Sequence, residues 1–497
     1  MNFTPPSESS GLQQQRARIR ELEAASRELD LGSARRSSLH AAVHSYAESV
    51  LSGLGDRPAY QADRSAVARL RAHPPGGPPL PAQRIIDLLE ESVVRPGLLP
   101  SHPGHLAYIP GGGLYASALG DYLAAVTNEY AGVRFTGPGA VEIENIVVDW
   151  MADLVGMPPG NAGTLTSGGS LASLIAVVSA REAAGLRAAD YEKAVVYSTE
   201  HVHHCLYRAL RIAGTEDATH REIPMDQSGR MRTDQLARQV AQDRTAGLRP
   251  WLVLATAGTV DIGAVDPLDE LADIAAQEDL WLHADAAYGG FFTLVDSVRP
   301  MFRGLGRADS VVLDPHKGLF LPYGTGAVLV RDRAAITRAH RSGGAYLQDV
   351  AIAEQTGPSP AAVSPELSRH FRGLRLWMPL MLHGLDPFRA CLEEKLHLAR
   401  YFHTRVSEMG FETGPPPQLS VVTYRWTAAG GDPDAFNRAL LDEVLRDGRV
   451  FLSSTLIEGR FTLRMAVLAF RTRLATIDLA LDVLAGALER TQARHPH

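Results

Sequence analysis

Between residues 111 and 375 the chain repeats one pattern, a short β-rich run followed by a stretch with helical spacing. The runs AVVYST, WLVLATAG, DLWLHADAAYGG, SVVLDP and GAVLVRD are separated by amphipathic stretches such as PLDELADIAAQED. Such alternation predicts an α/β fold, a parallel or mixed sheet covered by helices. In such sheets ligands collect at the carboxyl ends of the strands. The residues that close each β-rich run are therefore the first candidates for chemistry.

The flanks read differently. Residues 14–54 are charged, rich in Ala and Leu and helically spaced, as in RIRELEAASRELD and LHAAVHSYAESVLSGL; HPPGGPPLPAQ (73–83) is a rigid connector, and RIIDLLEESVVRPG supplies another helix. This strand-free opening cannot build a large core alone and is expected to pack on something else. After residue 375, helices such as DAFNRALLDEVLRDG mix with strands such as LSVVTYRW and RFTLRMAVLAF. The expected organisation is an N-terminal helical segment at 1–110, a large domain at 111–375 and a small α/β domain at 376–497, with no internal repeat.

Whole-chain properties narrow the function classes. At 497 residues and 45% hydrophobic, the chain supports a large core and more than one domain. A net charge of −7 and a pI near 6.2, with no basic block, exclude a general nucleic-acid binder. Two cysteines, Cys205 and Cys391, cannot form a disulfide framework and fit a reducing cytoplasm. The opening MNFTPPSESSGLQQQRARIR has no apolar core of a secretory signal, and NAGTLTSGGSLASLIAVVSA (161–180) is too polar for a bilayer helix. A soluble cytoplasmic protein is expected.

Of 49 basic residues only three are lysines, Lys193, Lys317 and Lys395. Lys317 follows the run SVVLDP, beside His316. An arginine holds its proton too tightly to act as a nucleophile, whereas a lysine can be neutralised by burial and neighbours, so an imine to a carbonyl cofactor requires lysine. A surface lysine is the ordinary alternative; the scarcity of lysine argues against it here.

Other strand ends add to this. In LHADAAYGG, Asp285 closes an apolar run; a buried carboxylate needs a partner, which a pyridinium nitrogen would supply, and small Ala287 would let a flat ring lie against the backbone. A turn-capping aspartate is the bland alternative. TLTSGGSLASL passes from Gly/Ser into a helix, so the N–H groups of Gly169 and Ser170 could cradle a phosphate, although ordinary N-capping looks the same. STEHVHHC offers His201 and His203. Metal ligation lacks partners at the expected spacing, no metal site is expected, and stacking of one imidazole on a ring is the alternative use. Thr256 and Thr259 in LATAGTV are by default turn residues. Phosphate cradle, stacking ring, carboxylate and lysine together meet the requirements of pyridoxal 5'-phosphate.

TSGGSLASL, HVHHC, HADAAYGG and DPHKG occur in the order and spacing of the group II pyridoxal-phosphate-dependent decarboxylases, and the chain resembles that family from about residue 40 to its end. The family includes aromatic amino acid, histidine and glutamate decarboxylases. The resemblance also takes in HPGHLAYIPGGG, AVEIENIVVDWM and RHFRGLRLWMPLMLHG. It implies the fold type I of pyridoxal-phosphate-dependent transferases, with a mixed seven-stranded sheet. It also implies a small-molecule amino acid substrate and a homodimer with its active site at the interface. By the same resemblance Lys317 would hold the cofactor covalently, Asp285 would keep its ring nitrogen protonated, and His203 would stack on the ring and could relay a proton. Gly169 and Ser170 would bind phosphate, Ala287 would back the ring, and Thr256, Asp314 and His316 would line the pocket. Tyr108 would face the substrate.

Four departures bear on the product and the substrate. In the aromatic enzymes a loop after the lysine carries a tyrosine that protonates the product carbon; residues 348–368 contain no tyrosine, and Pro360 falls at that position. Some relatives lacking it convert amino acids oxidatively to aldehydes; His203, a water or a partner residue could instead supply the proton. Gly318 stands where the aromatic enzymes have tryptophan. Ile109 and Gly111 are less bulky than an aromatic pocket suggests, which admits an aliphatic substrate. The main expectation is removal of the α-carboxylate of an L-amino acid. An aldehyde synthase, an aminotransferase using Arg464 for the α-carboxylate, and a non-catalytic binding protein are the alternatives.

Overall fold

The computed structural model describes residues 9–63, 65–340, 359–428 and 431–494. The chain separates into two compact units, residues 1–57 with 61–97, and residues 58–60 with 98–497. In the first unit, helices α1 (Ser10–Ser26) and α2 (Ser33–Ser52) bury no residue. Leu12, Ile19, Leu22, Leu39 and Val43 on them are exposed. A helix is stabilised in proteins mainly by packing of its apolar face; within this unit α2 meets the helix Ala82–Leu89, and its Tyr46 donates to Glu90 Oε2 at 3.0 Å.

The second unit is organised by seven strands: β1 (Ala162–Thr166), β2 (Ala194–Ser198), β3 (Thr219–Glu222), β4 (Arg249–Thr256), β5 (Trp281–Asp285), β6 (Ser310–Leu313) and β7 (Gly326–Val330). Their order across the sheet is β1-β7-β6-β5-β4-β2-β3. Strand β7 pairs antiparallel with both neighbours, and the remaining pairs are parallel. The sheet is thus mixed and seven-stranded, the fold type I architecture expected from the resemblance. Strands β2, β6 and β7 are buried at every residue, which accounts for runs without polar alternation.

Register places the chemistry. Thr256 pairs with Asp285, and Asp285 with Val312, so β4, β5 and β6 end level with one another. Because β7 runs the other way, its first residue Gly326 pairs with Thr166 at the end of β1, and Ala327 pairs with Leu313. The loop before β7 therefore arrives at the same edge of the sheet as the carboxyl ends of the other strands.

A second sheet, β8 (Glu412–Thr413), β9 (Val421–Arg425), β10 (Ser453–Ile457) and β11 (Arg460–Ala466), is antiparallel throughout, in the order β8-β9-β11-β10. Its core includes Phe402, Tyr424, Leu440, Leu463 and Leu484. The main core joins the large sheet to Phe388, Leu392, Leu419 and Ala466 from the C-terminal part.

The edge strand β1 is tied down by a buried ion pair. Helices α3 (Tyr115–Thr127), α4 (Pro138–Val155) and α5 (Gly169–Ala183) lie on this side of the chain order. Glu144 of α4 lies 2.7 Å from Arg369, both side chains almost wholly buried. Arg369 also donates to Thr164 Oγ1 and Leu165 O of β1, each at 2.8 Å. Glu144 Oε1 accepts the N–H groups of Arg372 and Gly373 at 3.0 and 3.2 Å. Removing one partner strands the other charge in the interior, which costs about 3–5 kcal/mol. Glu144→Ala is expected to lose stability of about that size in denaturant unfolding, while Glu144→Gln, which keeps acceptors for the two N–H groups, is expected to lose less.

Candidate active site

Nine of the ten residues given a site role by the family resemblance line one cavity of about 440 Å³ at the common edge of the sheet: Gly169, Ser170, His203, Thr256, Asp285, Ala287, Asp314, His316 and Lys317. Tyr108 is not among the lining residues; it is more than half exposed and its ring lies 6.0 Å from that of Phe451.

Lys317 sits on a single helical turn, Pro315–Gly318, that follows β6 directly. Proline at the first helical position needs no N–H partner there, so the chain can turn abruptly and aim the lysine back over the strand ends. Its Nζ lies 2.9 Å from Asp314 Oδ2. Burial alone favours the neutral amine, but the charge of Asp314, with Asp285 and the hydrogen bond to Asp314, outweighs it and holds Lys317 above the usual lysine range. Its neighbours thus favour the ammonium form, because a carboxylate only three residues away faces the lysine in the same enclosed site.

Asp314 is 2% exposed, and its Oδ1 has no hydrogen-bond partner among the described residues. Asp285 is buried at the end of β5 and accepts the Ala287 N–H at 3.1 Å. Behind it on the same strand, burial pushes His283 down to about 4, so that ring is neutral. His203 Nδ1 accepts the Cys205 N–H at 3.3 Å. Burial lowers His203, and a neutral imidazole accepting at Nδ1 carries its proton on Nε2. His316 Nδ1 meets Thr325 O at 2.6 Å, and burial lowers it as well.

Helix α5 begins at Gly169 with Gly168 as its cap. The first N–H groups of a helix have no intrahelical acceptor and attract anions. A side chain at Gly169 would put its Cβ 2.9 Å from Asp314 Oδ2, so glycine keeps this turn close to the lysine pair. Thr256 Oγ1 is buried without a partner, while its backbone N–H is held by Asp266 at 2.8 Å.

His201, weighed in the sequence beside His203, also lines the cavity, and so do Cys205, Gly258, Val260, Tyr288 and Tyr323, which were not picked out as site residues. His201 lies 3.5 Å from Asp261, which accepts a hydrogen bond from Thr455 at 2.5 Å. LPYGTG, next to DPHKG, was the signal that could have found Tyr323.

The departures acquire packing reasons. A Cβ at Gly111 would lie 2.0 Å from His316 O, so this glycine serves a backbone crossing. Ile109 belongs to the main core. Neither sets the bulk of the cavity, and the expectation of an aliphatic substrate loses its basis. A Cβ at Gly318 would lie 2.9 Å from Phe291 Cβ, leaving no room for tryptophan. Pro360 starts a short turn anchored by Ala361 N–H on Gly132 O; residues 341–358 of the loop lie outside the described residues. Arg464, 3% exposed, donates to Val260 O at 2.7 Å, Tyr108 O at 2.8 Å and Ser453 Oγ at 3.2 Å. It does not line the cavity, and its donors hold backbone rather than awaiting a carboxylate.

The residues present fit pyridoxal phosphate: an anion-ready helix start, Thr256 Oγ1 and Asp314 Oδ1 buried without partners among the described residues, a strand-end carboxylate and a lysine, all lining one cavity. Comparison with known proteins agrees. The family model for the pyridoxal-dependent decarboxylase conserved domain matches residues 78–426. The chain belongs to this family; it is a pyridoxal-phosphate-dependent decarboxylase, a lyase. It is 33% identical over 395 residues to an aromatic-L-amino-acid decarboxylase of Bacillus atrophaeus, covering 78% of this chain and 82% of the relative. It is 31% identical over 393 residues to a phenylacetaldehyde synthase of Arabidopsis thaliana, covering 75% and 80%. The crystal structure of Oryza sativa TDC with PLP and tryptamine superposes with a TM-score of 0.87 at 26% identity, over 93% of this chain and 99% of that one.

The Asp314–Lys317 pair has a measurable consequence. Asp314→Asn removes the charge that holds the proton on Lys317, and each unit of lowered pKa raises the free amine about tenfold at neutral pH. Stopped-flow absorbance is expected to show faster uptake of pyridoxal phosphate by the apo variant near pH 7, with the difference closing as pH rises.

Proposed function

We propose that this enzyme removes the α-carboxylate of an aromatic L-amino acid and releases the amine and carbon dioxide. The observation that carries the chemistry is the convergence of Lys317, Asp285, His203 and the α5 start on one cavity. The aromatic class is supported by the Bacillus relative and by the loss of the packing argument for an aliphatic pocket.

Pyridoxal phosphate, when bound, supplies a carbonyl for covalent attachment and an electron-accepting ring. Lys317 Nζ is the attachment point, and Asp314 takes up or returns the proton that the lysine exchanges. The Asp285 carboxylate stands where it can keep a ring nitrogen protonated, at the end of a strand whose other polar group, His283, stays neutral and does not compete. Neutral His203 offers a flat face to the ring. Gly169 and Ser170 N–H groups bind phosphate, Thr256 and His316 complete the polar lining, and Ala287 leaves space against the backbone. Tyr108 is proposed to face substrate, with its carbonyl held by Arg464.

Incubation of the protein, loaded with pyridoxal phosphate, with L-tryptophan, L-tyrosine, L-phenylalanine and a pool of aliphatic amino acids is expected to yield the aromatic amines. Lys317→Ala is expected to yield none. Aldehyde with ammonia and hydrogen peroxide is the outcome of a second reading, an oxygen-consuming synthase, favoured by the tyrosine-free stretch 348–368 and by the Arabidopsis relative.

The assembly is proposed to be a homodimer with the active site at the interface. Tyr115, Leu119, Tyr122, Leu123 and Val126 form an exposed stripe along α3 at helical spacing, while Ala116, Ser117, Gly120 and Ala124 bury the opposite face. Apolar stripes of this kind mark interaction surfaces. Light scattering is expected to give the mass of two chains for the wild type and of one chain for Leu123→Asp combined with Val126→Asp. Cytoplasmic residence is supported by two cysteines present as thiols, and among the described residues no helix is long and apolar enough to cross a membrane.

A further inference from the structure

We propose that the phenol of Tyr323 delivers the proton to the α-carbon after carbon dioxide leaves. The inference rests on the decarboxylation described above. When the bond to the carboxylate breaks, its electron pair remains with the substrate, and a C–H bond must replace the bond that broke. The proton needs an acid within the cavity that can also be recharged from water.

The lining offers few acids. Lys317, released when the substrate amine takes its place, is held by Asp314 Oδ2 at 2.9 Å. His203 is neutral, so its remaining N–H is a poor acid, and its Nδ1 is already committed to Cys205 N–H. His316 is likewise neutral, with Nδ1 at Thr325 O. His201 is bound to Asp261. Burial pushes the Cys205 thiol up to about 12. Tyr288 is fully enclosed, its hydroxyl shared between Ser420 Oγ at 2.7 Å and Ser420 N–H at 2.9 Å. The loop that carries a tyrosine in similar enzymes has none between residues 348 and 368.

Tyr323 differs from all of these. It lines the cavity, is 57% exposed, and among the described residues its hydroxyl has no hydrogen-bond partner. Its backbone is fixed. Arg375 Nη1 donates to Tyr323 O at 3.0 Å, and Arg375 is itself held by Asp121 at 2.6 Å. Gly324 turns the chain with a φ of +102°, which only glycine adopts without strain. The ring stands edge-on to His316 with centroids 5.7 Å apart. Burial raises the phenol while the charge of Lys317 opposes that shift, so the hydroxyl keeps its proton at neutral pH and lies within the field of the lysine. In the step, the Tyr323 O–H bond breaks as the α-carbon–hydrogen bond forms, and the phenolate recovers a proton from water at the open mouth. No oxidant takes part. If the proton is late, dioxygen can take the electron pair instead, consuming one dioxygen and one water for each aldehyde, ammonia, carbon dioxide and hydrogen peroxide formed.

The test compares wild type with Tyr323→Phe, which keeps the ring and its packing, using L-tryptophan, L-tyrosine and L-phenylalanine in air. Carbon dioxide release by the variant is expected to stay within about threefold of wild type. Amine formed per carbon dioxide is expected to fall about tenfold or more, the deficit appearing as aldehyde, since a positioned acid contributes on that scale or above. A merely structural role would lower both products together. Independently of turnover, tetranitromethane is expected to nitrate Tyr323 in the apoprotein, mapped by mass spectrometry, and pyridoxal phosphate to protect it. An unchanged amine-to-carbon-dioxide ratio in the variant, or nitration of Tyr323 indifferent to the cofactor, would overturn the proposal. Absence of carbon dioxide release by the wild type would instead overturn the aromatic decarboxylase reading, and the proposal with it.

Discussion

The reversed strand β7 is the constraint on which the site depends. Parallel strands bring only their carboxyl ends to one edge of a sheet. By running against its neighbours, β7 brings an amino end there too, and with it Tyr323, Gly324 and Thr325. The chain leaving β6 must therefore turn within a few residues to re-enter the sheet next door. Pro315–Gly318 makes that turn, and Lys317 rides on it. His316 bridges to Thr325 across the turn. One antiparallel strand thus fixes the lysine, the ring beside it and the phenol at the mouth.

Around this turn the protein accumulates close backbone approaches. Gly111 passes against His316 O, Gly326 lies against Gly168, and Gly169 lies against Asp314. These contacts hold the helix start, the lysine turn and the loop before β7 at short range. The Glu144–Arg369 pair performs a similar service farther out, joining β1 to the chain that leads into the helix Gly373–His383. Arg375 on that helix then reaches back to Tyr323. The edge of the sheet and the rim of the cavity are thereby coupled through buried charge rather than through apolar contact alone.

Electrostatics inside the cavity run in one direction. Asp285 and Asp314 face a single lysine, while His203, His283 and His316 are kept neutral by burial. The cavity thus sets two carboxylates and one lysine beside a helix start whose free N–H groups attract anions. It leaves exchange of the lysine proton to Asp314, an acceptor only three residues away.

Much of this was legible in the sequence because it is local. The β-rich runs, the Gly/Ser start of α5 and the strand-end positions of Thr256, Asp285 and Lys317 follow from residue type and order, since strand and helix periodicity and turn chemistry act over a few residues. Other features depended on contacts between distant segments. Lysine scarcity pointed to Lys317, yet Lys395 is equally rare and fully buried, bonded to Glu394 and Thr472 O; only folding separates the two. The charged state of Lys317 depends on how Asp314 is aimed. The meanings of Ile109, Gly111, Gly318 and Arg464 depend on what crosses them. The sequence by itself determined the elements and the set of reactive groups; the tertiary structure decided which groups share a cavity, their charge, and that Tyr323 stands among them, because register, burial and close approach exist only between segments brought together by the fold.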